Sequence, residues 1–201
     1  MKKFLTLCLL LFFGVMTAQQ NQKITSALKF QKKINQDFKN PAKTPIPANE
    51  RKTFKALDFF EIDTAFSVEA EFIRTPYEAP FEMPTTTERK PVYVKYGEIF
   101  FTLSGKEYKL NLYQNQQLTK KAEYKDYLFL PFTDLTNGES SYSGGRYIDM
   151  KIPKSNKVIV DFNQAYNPYC AYNGEYSCPI PPEENHMDLA VTAGVKAYKL
   201  K

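Results

Sequence analysis

Hydrophobic residues recur along the chain with two different periods, and the first of these is helical. In residues 22–40 the apolar side chains are separated by lysine and glutamine at spacings close to multiples of 3.6, at Ile24, Leu28, Ile34 and Phe38. This spacing predicts one amphipathic helix. Three prolines between positions 41 and 47 then end the helix, because proline lacks the backbone N–H that a helix needs.

From Phe54 onward the period is two, which is typical of half-buried strands. Alternating residues separated by turn residues predict strands at 66–72, 93–96, 100–103, 108–112, 127–132, 146–152, 157–162 and 188–200. Ser104-Gly105-Lys106 predicts a tight hairpin turn between two of these strands. The segment from Pro76 to Pro91 contains four prolines and predicts a long loop.

These strands predict a mainly β protein, either an antiparallel sandwich or a partly open barrel, with one N-terminal helix. The 14 tyrosines and 16 phenylalanines support this prediction, because aromatic side chains fit the pleated surface of a sheet. We expect three regions. They are a signal peptide at 1–18, the helix with a proline-rich connector at 19–50, and a single β-rich domain at 51–201.

The first 18 residues have the layout of a secretory signal peptide, with a basic start, an apolar segment and a small residue at Ala18. The apolar segment covers residues 4–15 and is shorter than the roughly twenty residues that a membrane-spanning helix needs. Cys8 follows a leucine rather than a small residue, which argues against a lipoprotein. We therefore expect cleavage after Ala18 and export to the periplasm or the medium, with no transmembrane anchor after processing.

Cleavage at this point would remove two lysines and no acid, so that the net charge falls from +5 to +3. Lysine and arginine are interleaved with aspartate and glutamate and form no basic run. We therefore expect no nucleic-acid partner, whereas a small molecule or an envelope ligand is compatible with this charge.

The first candidate site centres on Arg146. In one interpretation Arg146 pairs with Asp134 or Asp161 and attaches a loop to the sheet, which is a structural role. In the other, Arg146 holds a carboxylate or phosphate ligand in a mouth lined by Tyr142 and Tyr147. The residue pattern leaves both interpretations open.

The second candidate segment runs from Asp161 to Asn185 and contains DFNQAYNPYCAY, followed by the pairs CP, PP and EN. Together with Gly145-Arg146-Tyr147, these motifs resemble an uncharacterised bacterial family, the domain of unknown function number 1684. The resemblance covers nearly all of the mature chain. It implies an exported or envelope-associated bacterial protein and carries over no activity. The chain departs from the family at Val195, where the family tends to have glutamate.

Cys170 and Cys178 would be the only cysteines left after signal cleavage, and in an exported chain this favours a disulfide between them. The bond would close a loop of roughly nine residues and stabilise the fold by about 2.5 kcal/mol. The alternative is a metal site completed by His186. We expect no metal and no cofactor, because zinc and copper sites usually need more nitrogen or sulfur ligands than one histidine supplies.

Carboxylates are the remaining candidates for catalysis, as the acid and base of a hydrolase: Asp134, Asp149, Asp161, Glu183 and Glu184. Sequence spacing does not show that any two of them converge, and the catalytic residues stay unassigned. The sequence also contains no serine-nucleophile motif, phosphate-binding glycine loop or dinucleotide fingerprint.

The leading hypothesis is therefore a non-catalytic binding or structural module of the bacterial envelope. A carboxylate-dependent hydrolase is the alternative, and a partner-binding subunit of a larger envelope assembly is a third hypothesis. In each case we expect the ligand-binding or structural network to consist of Asp134, Tyr142, Arg146, Tyr147, Asp149, Asp161, Asn163, Tyr166, Asn167, Glu184 and Asn185.

Overall fold

The computed structural model describes the backbone of residues 2–198 and the side chains of residues 18–198. One α-helix lies within this range, α1 Lys2–Lys39. It contains the predicted helix and ends just before Pro41 as predicted, but it begins at Lys2 rather than near residue 22. The predicted signal peptide lies outside the described side chains except at Ala18, so its cleavage stays a prediction. No helix in the described part of the chain is both long and apolar enough to cross a bilayer.

The buried face of α1 differs from the predicted stripe at one position. Phe38 is buried as expected, but Leu28 is 53% exposed while its neighbour Ala27 is fully buried. The helix is held on this side by polar contacts, since Lys23 Nζ donates to Ser67 O at 2.6 Å. A small residue therefore faces the domain where the spacing predicts a large one.

Eight strands form one strongly curled sheet, in the manner of a half-barrel. They are β1 Ser67–Arg74, β2 Phe81–Glu82, β3 Val92–Leu103, β4 Lys106–Asn115, β5 Tyr127–Asp134, β6 Arg146–Lys151, β7 Lys157–Asp161 and β8 His186–Met187. The main strand order is β6-β5-β4-β3-β1-β7, and neighbours along it are antiparallel. β2 adds to β3, and the short β8 pairs in parallel with β5. The mainly β prediction is confirmed in its partly open barrel form.

The predicted hairpin turn joins β3 to β4. Ser104 and Gly105 have φ values of 52° and 76°, so both central residues are left-handed, and Leu103 faces Lys106 in the register. A two-residue turn with two positive φ values has a twist that matches the flanking strands. The sequence prediction is therefore confirmed here.

The sheet has two faces with different side chains, because successive residues of a strand point to opposite sides. The core face carries the main hydrophobic cluster, which includes Leu112, Leu130, Phe132 and Ile148. We call the opposite side the aromatic face, and its buried residues are Met83, Tyr93, Tyr113, Phe129 and Tyr147. A register shift between Lys95 and Gly97 of β3 lets Tyr93 join the aromatic face, although Ile99 lies in the core.

Two sequence predictions of secondary structure need correction. Within the described residues, 188–198 form no strand, and the only ladder contact there is an isolated bridge between Val195 and Phe59. The period of two still has a physical basis, because Val191, Ala193 and Val195 are buried while Ala190 and Thr192 are exposed. The predicted long loop from Pro76 to Pro91 also contains the short strand β2.

Candidate functional site

Arg146 lies at the start of β6, and its side chain is fully buried in contact with Asp134 at the end of β5. Arg146 Nη2 donates to Asp134 Oδ2 at 2.7 Å and to Val191 O at 2.8 Å, and Nη1 donates to Ala193 O. Burial lowers the pKa of Arg146, and Asp134 opposes this effect. The guanidinium thus ties the C-terminal segment to the sheet and does not reach solvent, which favours the structural interpretation of the sequence.

Asp134 also organises the turn that follows β5. Its Oδ1 accepts the backbone N–H of Thr136 at 2.9 Å and that of Val191 at 3.1 Å, and it accepts the Thr136 hydroxyl at 2.6 Å. This carboxylate therefore has several internal partners and is completely buried. Together with the following backbone, Asp134 therefore forms a side-chain turn.

Asp161 and Asn163 form a second internal connection at the end of β7. Asp161 Oδ1 accepts the backbone N–H of Asn163 at 3.1 Å and caps a short 3-10 turn. The Asn163 amide pairs with the backbone of Asp63, accepting its N–H at 3.0 Å and donating to its C=O at 2.8 Å. Both residues are buried, so this pair attaches the segment before β1 to the sheet.

Asn185 has a comparable structural position between β4 and β5, where the register pairs only Tyr113 with Phe129. Its Oδ1 accepts the N–H of Asn111 at 2.8 Å, and its Nδ2 donates to Asn111 O at 2.9 Å and to Pro131 O at 2.6 Å. The amide thus fills a gap in the sheet. Its neighbour Glu184 is exposed.

Asp149 lies on the aromatic face of β6 and is exposed. The hydroxyls of Tyr127 and Tyr166 both donate to its Oδ1, at 2.8 Å and 2.5 Å. Tyr166 packs edge-on against Tyr147, whose hydroxyl donates to Pro179 O. The predicted network includes Tyr147, Asp149 and Tyr166. It lacks Tyr127, because a tyrosine at the start of a strand carries no distinguishing signal in the sequence.

Asp134 and Asp149 lie on opposite faces of the β5–β6 pair, since even-numbered residues of β6 point to the core and Asp149 does not. The Asp161 side chain caps the 3-10 turn that follows β7. Glu183 and Glu184 are exposed beside β8. The structure therefore gives the two aspartates of the sheet different surroundings and no shared site. The acid and base of a hydrolase need a shared site.

Cys170 and Cys178 are both free thiols, so the structure contains no bond between them. They are neighbours nevertheless, because the backbone N–H of Cys170 donates to Cys178 Sγ at 3.2 Å, and the Tyr142 hydroxyl lies 3.5 Å from Cys170 Sγ. Hydrogen bonding with Cys178, helped by Tyr142, lowers the pKa of Cys170 to about 6. The same contact and burial raise the pKa of Cys178.

His186 lies in β8, and its Nδ1 is 2.9 Å from the Thr133 hydroxyl. Within the described residues, no group of three histidine, cysteine, aspartate or glutamate side chains converges as a metal site would require. The metal alternative that joins His186 to the two cysteines therefore has no support in the geometry.

A cavity of about 1000 Å³ lies between residues 49–58 and the C-terminal residues 195–198. We call residues 49–58 the connector from here on, because they join the predicted proline-rich segment to the β-rich domain, and we call the cavity the connector cavity. Its apolar lining includes Phe54, Leu57 and Val195. Tyr172 also lines it, and the buried Tyr172 hydroxyl has no hydrogen-bond partner. Burial raises the pKa of this hydroxyl, so it stays a neutral donor and acceptor.

Asn167, one of the predicted site residues, contacts the lining of this cavity. Its Nδ2 donates to Lys196 O at 2.8 Å, and Lys196 lines the cavity. Its Oδ1 is buried and has no partner. Tyr172 and the connector residues are absent from the predicted site, because the cavity forms between segments more than a hundred residues apart in the chain.

A sequence profile of the family described as Protein of unknown function (DUF1684) matches residues 52–196. The chain belongs to this family. This confirms the resemblance seen in the sequence. The DUF1684 match begins in the connector and ends at a residue that lines the connector cavity.

The chain is also similar to a solved structure, the solution NMR structure of the uncharacterized protein from gene locus rrnAC0354 of Haloarcula marismortui. The two sequences are 31% identical, the match covers 89% of this chain and 96% of that one, and the TM-score is 0.70. No curated protein matches the chain. These comparisons identify the family and one protein of similar fold, and they name neither a ligand nor a reaction.

Proposed function

We propose that this DUF1684 protein is an exported, non-catalytic module of the envelope that binds a small amphipathic molecule in the connector cavity. The observation that carries the proposal is the unpaired, buried hydroxyl of Tyr172 beside a cavity of about 1000 Å³. Ligand pockets typically combine such a volume with an apolar lining and a few polar groups that orient the ligand. The Tyr172 hydroxyl would serve as one of these groups.

The charges around the cavity favour an uncharged ligand. Three acids and two lysines line it, namely Glu50, Asp58, Glu139, Lys55 and Lys196. Lys196 Nζ lies 4.0 Å from an Asp58 oxygen, and Glu50 accepts the Tyr198 hydroxyl at 3.3 Å. Since both signs of charge are present and partly paired, the charged residues of the lining favour neither a cationic nor an anionic ligand.

The proposal of a non-catalytic role rests on the use of the predicted site residues inside the fold. The side chains of four of these residues form hydrogen bonds inside the protein: Arg146, Asp134, Asp161 and Asn185. A carboxylate-dependent hydrolase remains the alternative hypothesis. It would need a second carboxylate beside Asp149, and Asp134 lies on the other face of the sheet.

A single introduced tryptophan tests the connector cavity. The chain contains no tryptophan, so Ala56→Trp, at an exposed position of the lining, places one fluorophore at the cavity. We expect 1-decanol to shift its emission to shorter wavelength in a saturable manner, because the ligand displaces water from the indole. The matched control Ala122→Trp, at an exposed position outside the lining, should not respond.

Tyr172→Phe, combined with Ala56→Trp, then tests the polar group. Loss of one hydrogen bond to the alcohol should weaken decanol binding by about 2- to 10-fold. An equal response of the Ala56→Trp and Ala122→Trp proteins, or no saturable response in either, would refute the cavity as a ligand site.

Export and the disulfide are tested together by the mass of the protein purified from its native compartment. The signal layout supports cleavage after Ala18, and the closeness of Cys170 and Cys178 supports a bond in an oxidising compartment. The expected mass is that of residues 19–201 less two hydrogen atoms. Cys170→Ser should then lower the free energy of unfolding by about 2.5 kcal/mol, because the unfolded chain regains the freedom of a roughly nine-residue loop.

Two outcomes of this measurement contradict the proposal separately. A mass that includes residues 1–18 would argue against cleavage. The second outcome concerns the protein with the mass of residues 19–201. If it gains two alkyl groups on treatment with iodoacetamide under denaturing, non-reducing conditions, both cysteines are free and the disulfide is absent.

A further inference from the structure

The carboxylate of Asp149 is held from one side only. Both tyrosine hydroxyls donate to Oδ1, that of Tyr127 at 2.8 Å and that of Tyr166 at 2.5 Å. Among the described residues no group donates a hydrogen bond to Oδ2, and the side chain is exposed. The two hydroxyls therefore fix the orientation of a carboxylate whose second oxygen is available to solvent.

The charge of Asp149 has no cationic partner within 4.0 Å among the residues that the structure describes. The nearest lysine along β6 is Lys151, whose Nζ instead pairs with Asp126 at 2.8 Å. The protein thus presents an oriented negative charge that it does not neutralise itself. This differs from Asp134, whose charge is met by Arg146.

The surroundings of this carboxylate are aromatic. Tyr127 packs edge-on against Tyr124 with ring centroids 6.0 Å apart, and Tyr166 packs edge-on against Tyr147 at 5.9 Å. Burial and the charge of Asp149 raise the pKa values of Tyr127 and Tyr166 well above the ordinary tyrosine value. Both hydroxyls therefore keep their protons at neutral pH and continue to hold Oδ1.

We propose that Asp149, Tyr127 and Tyr166 form a binding site for an organic cation that carries N–H donors, a primary ammonium or a guanidinium group. Such a group donates a charge-assisted hydrogen bond to Oδ2. A calcium or magnesium ion is a poor fit, because these ions require several oxygen ligands and the site offers one carboxylate. The site is separate from the connector cavity and does not depend on it.

Titration with n-butylammonium chloride, followed by amide NMR shifts at low ionic strength, tests this site. We expect saturable shifts at Asp149 and its strand neighbours, and no such shifts with the uncharged n-butanol. Asp149→Asn keeps an oxygen that accepts both tyrosine hydroxyls but removes the charge, so binding should weaken by at least about tenfold while the fold is retained. n-Butylguanidinium should shift the same amide signals, because it also carries N–H donors for Asp149 Oδ2.

Asp126→Asn is the matched control, because it removes another exposed aspartate whose charge is already paired with Lys151. Its binding of n-butylammonium should equal that of the unaltered protein. Three results would each overturn the proposal: equal binding by Asp149→Asn, equal shifts with n-butanol, or an equal loss in Asp126→Asn. None of these results bears on the decanol experiment, so the cation site and the connector cavity succeed or fail independently.

Discussion

Replacing Arg146 with methionine is expected to lower the free energy of unfolding by about 3–5 kcal/mol. The side chain is completely buried, and its removal leaves the Asp134 charge without its cation. It also removes the donors to Val191 O and Ala193 O, which connect the C-terminal segment to the sheet. Urea unfolding followed by far-ultraviolet circular dichroism measures the change.

Two further variants separate the buried charge from general effects on β6. Lys151→Met removes an exposed ion pair with Asp126 from the same strand and should cost less than about 1 kcal/mol. Arg146→Met combined with Asp134→Asn should recover part of the lost free energy of unfolding. The amide keeps an oxygen for the Thr136 and Val191 N–H groups but carries no unpaired negative charge. A loss in Arg146→Met no greater than that in Lys151→Met would show that the buried pair does not stabilise the fold.

Gly194→Ala is expected to lower the free energy of unfolding by about 2–5 kcal/mol, as the sum of two effects. Gly194 has a φ of 80°, which costs an alanine energy in any surroundings. A Cβ at this position would also lie 2.5 Å from Ala165 O and 2.9 Å from Phe162 O, which are backbone atoms that cannot rotate away. The same urea experiment measures the loss.

Gly105→Ala isolates the first of these two effects. Gly105 has a similar φ of 76°, but a Cβ there would meet nothing within 4 Å, because the residue lies at the tip of the β3–β4 hairpin. Its substitution should cost only about 1–2 kcal/mol. Equal losses in the two variants would mean that the contact with the Ala165 backbone relaxes at little cost.

Contacts at Arg146 and Gly194 hold the C-terminal segment in place. Arg146 binds the carbonyl groups of Val191 and Ala193, and Gly194 lets the chain pass close to Ala165. Lys196 N then donates to Asp58 O at 2.9 Å, which brings the C-terminal segment against the connector. The connector cavity exists because these contacts hold the two segments at this distance, so loss of either contact should also weaken decanol binding.

Several features follow from the sequence because they are decided by neighbours in the chain. The helix from the 3.6-residue period, the alternating segments that form β1 and β3 to β7, and the turn at Ser104-Gly105 depend on local backbone preferences, and the structure confirms them. The family follows from short motifs such as Gly145-Arg146-Tyr147 and is confirmed as well. The segment 188–198 shows the limit of local patterns, since its alternation reflects burial of Val191, Ala193 and Val195 in the hydrophobic clusters rather than pairing in a sheet.

The partners of polar side chains depend instead on how distant segments meet. The sequence allows Arg146 to pair with Asp134 or Asp161. The strand order places β5 beside β6 and β7 at the other end of the main order, so Arg146 meets Asp134. Asp149 belongs to the same predicted network, but strand alternation turns it to the opposite face, where Tyr127 and Tyr166 hold it. The connector cavity joins residues near position 50 to residues near 198, and no local pattern encodes a void between them. The sequence alone therefore determined the segments that form β1 and β3 to β7 and the family of this protein, whereas the buried ion pair, the exposed carboxylate and the cavity required the packing of segments far apart in the chain.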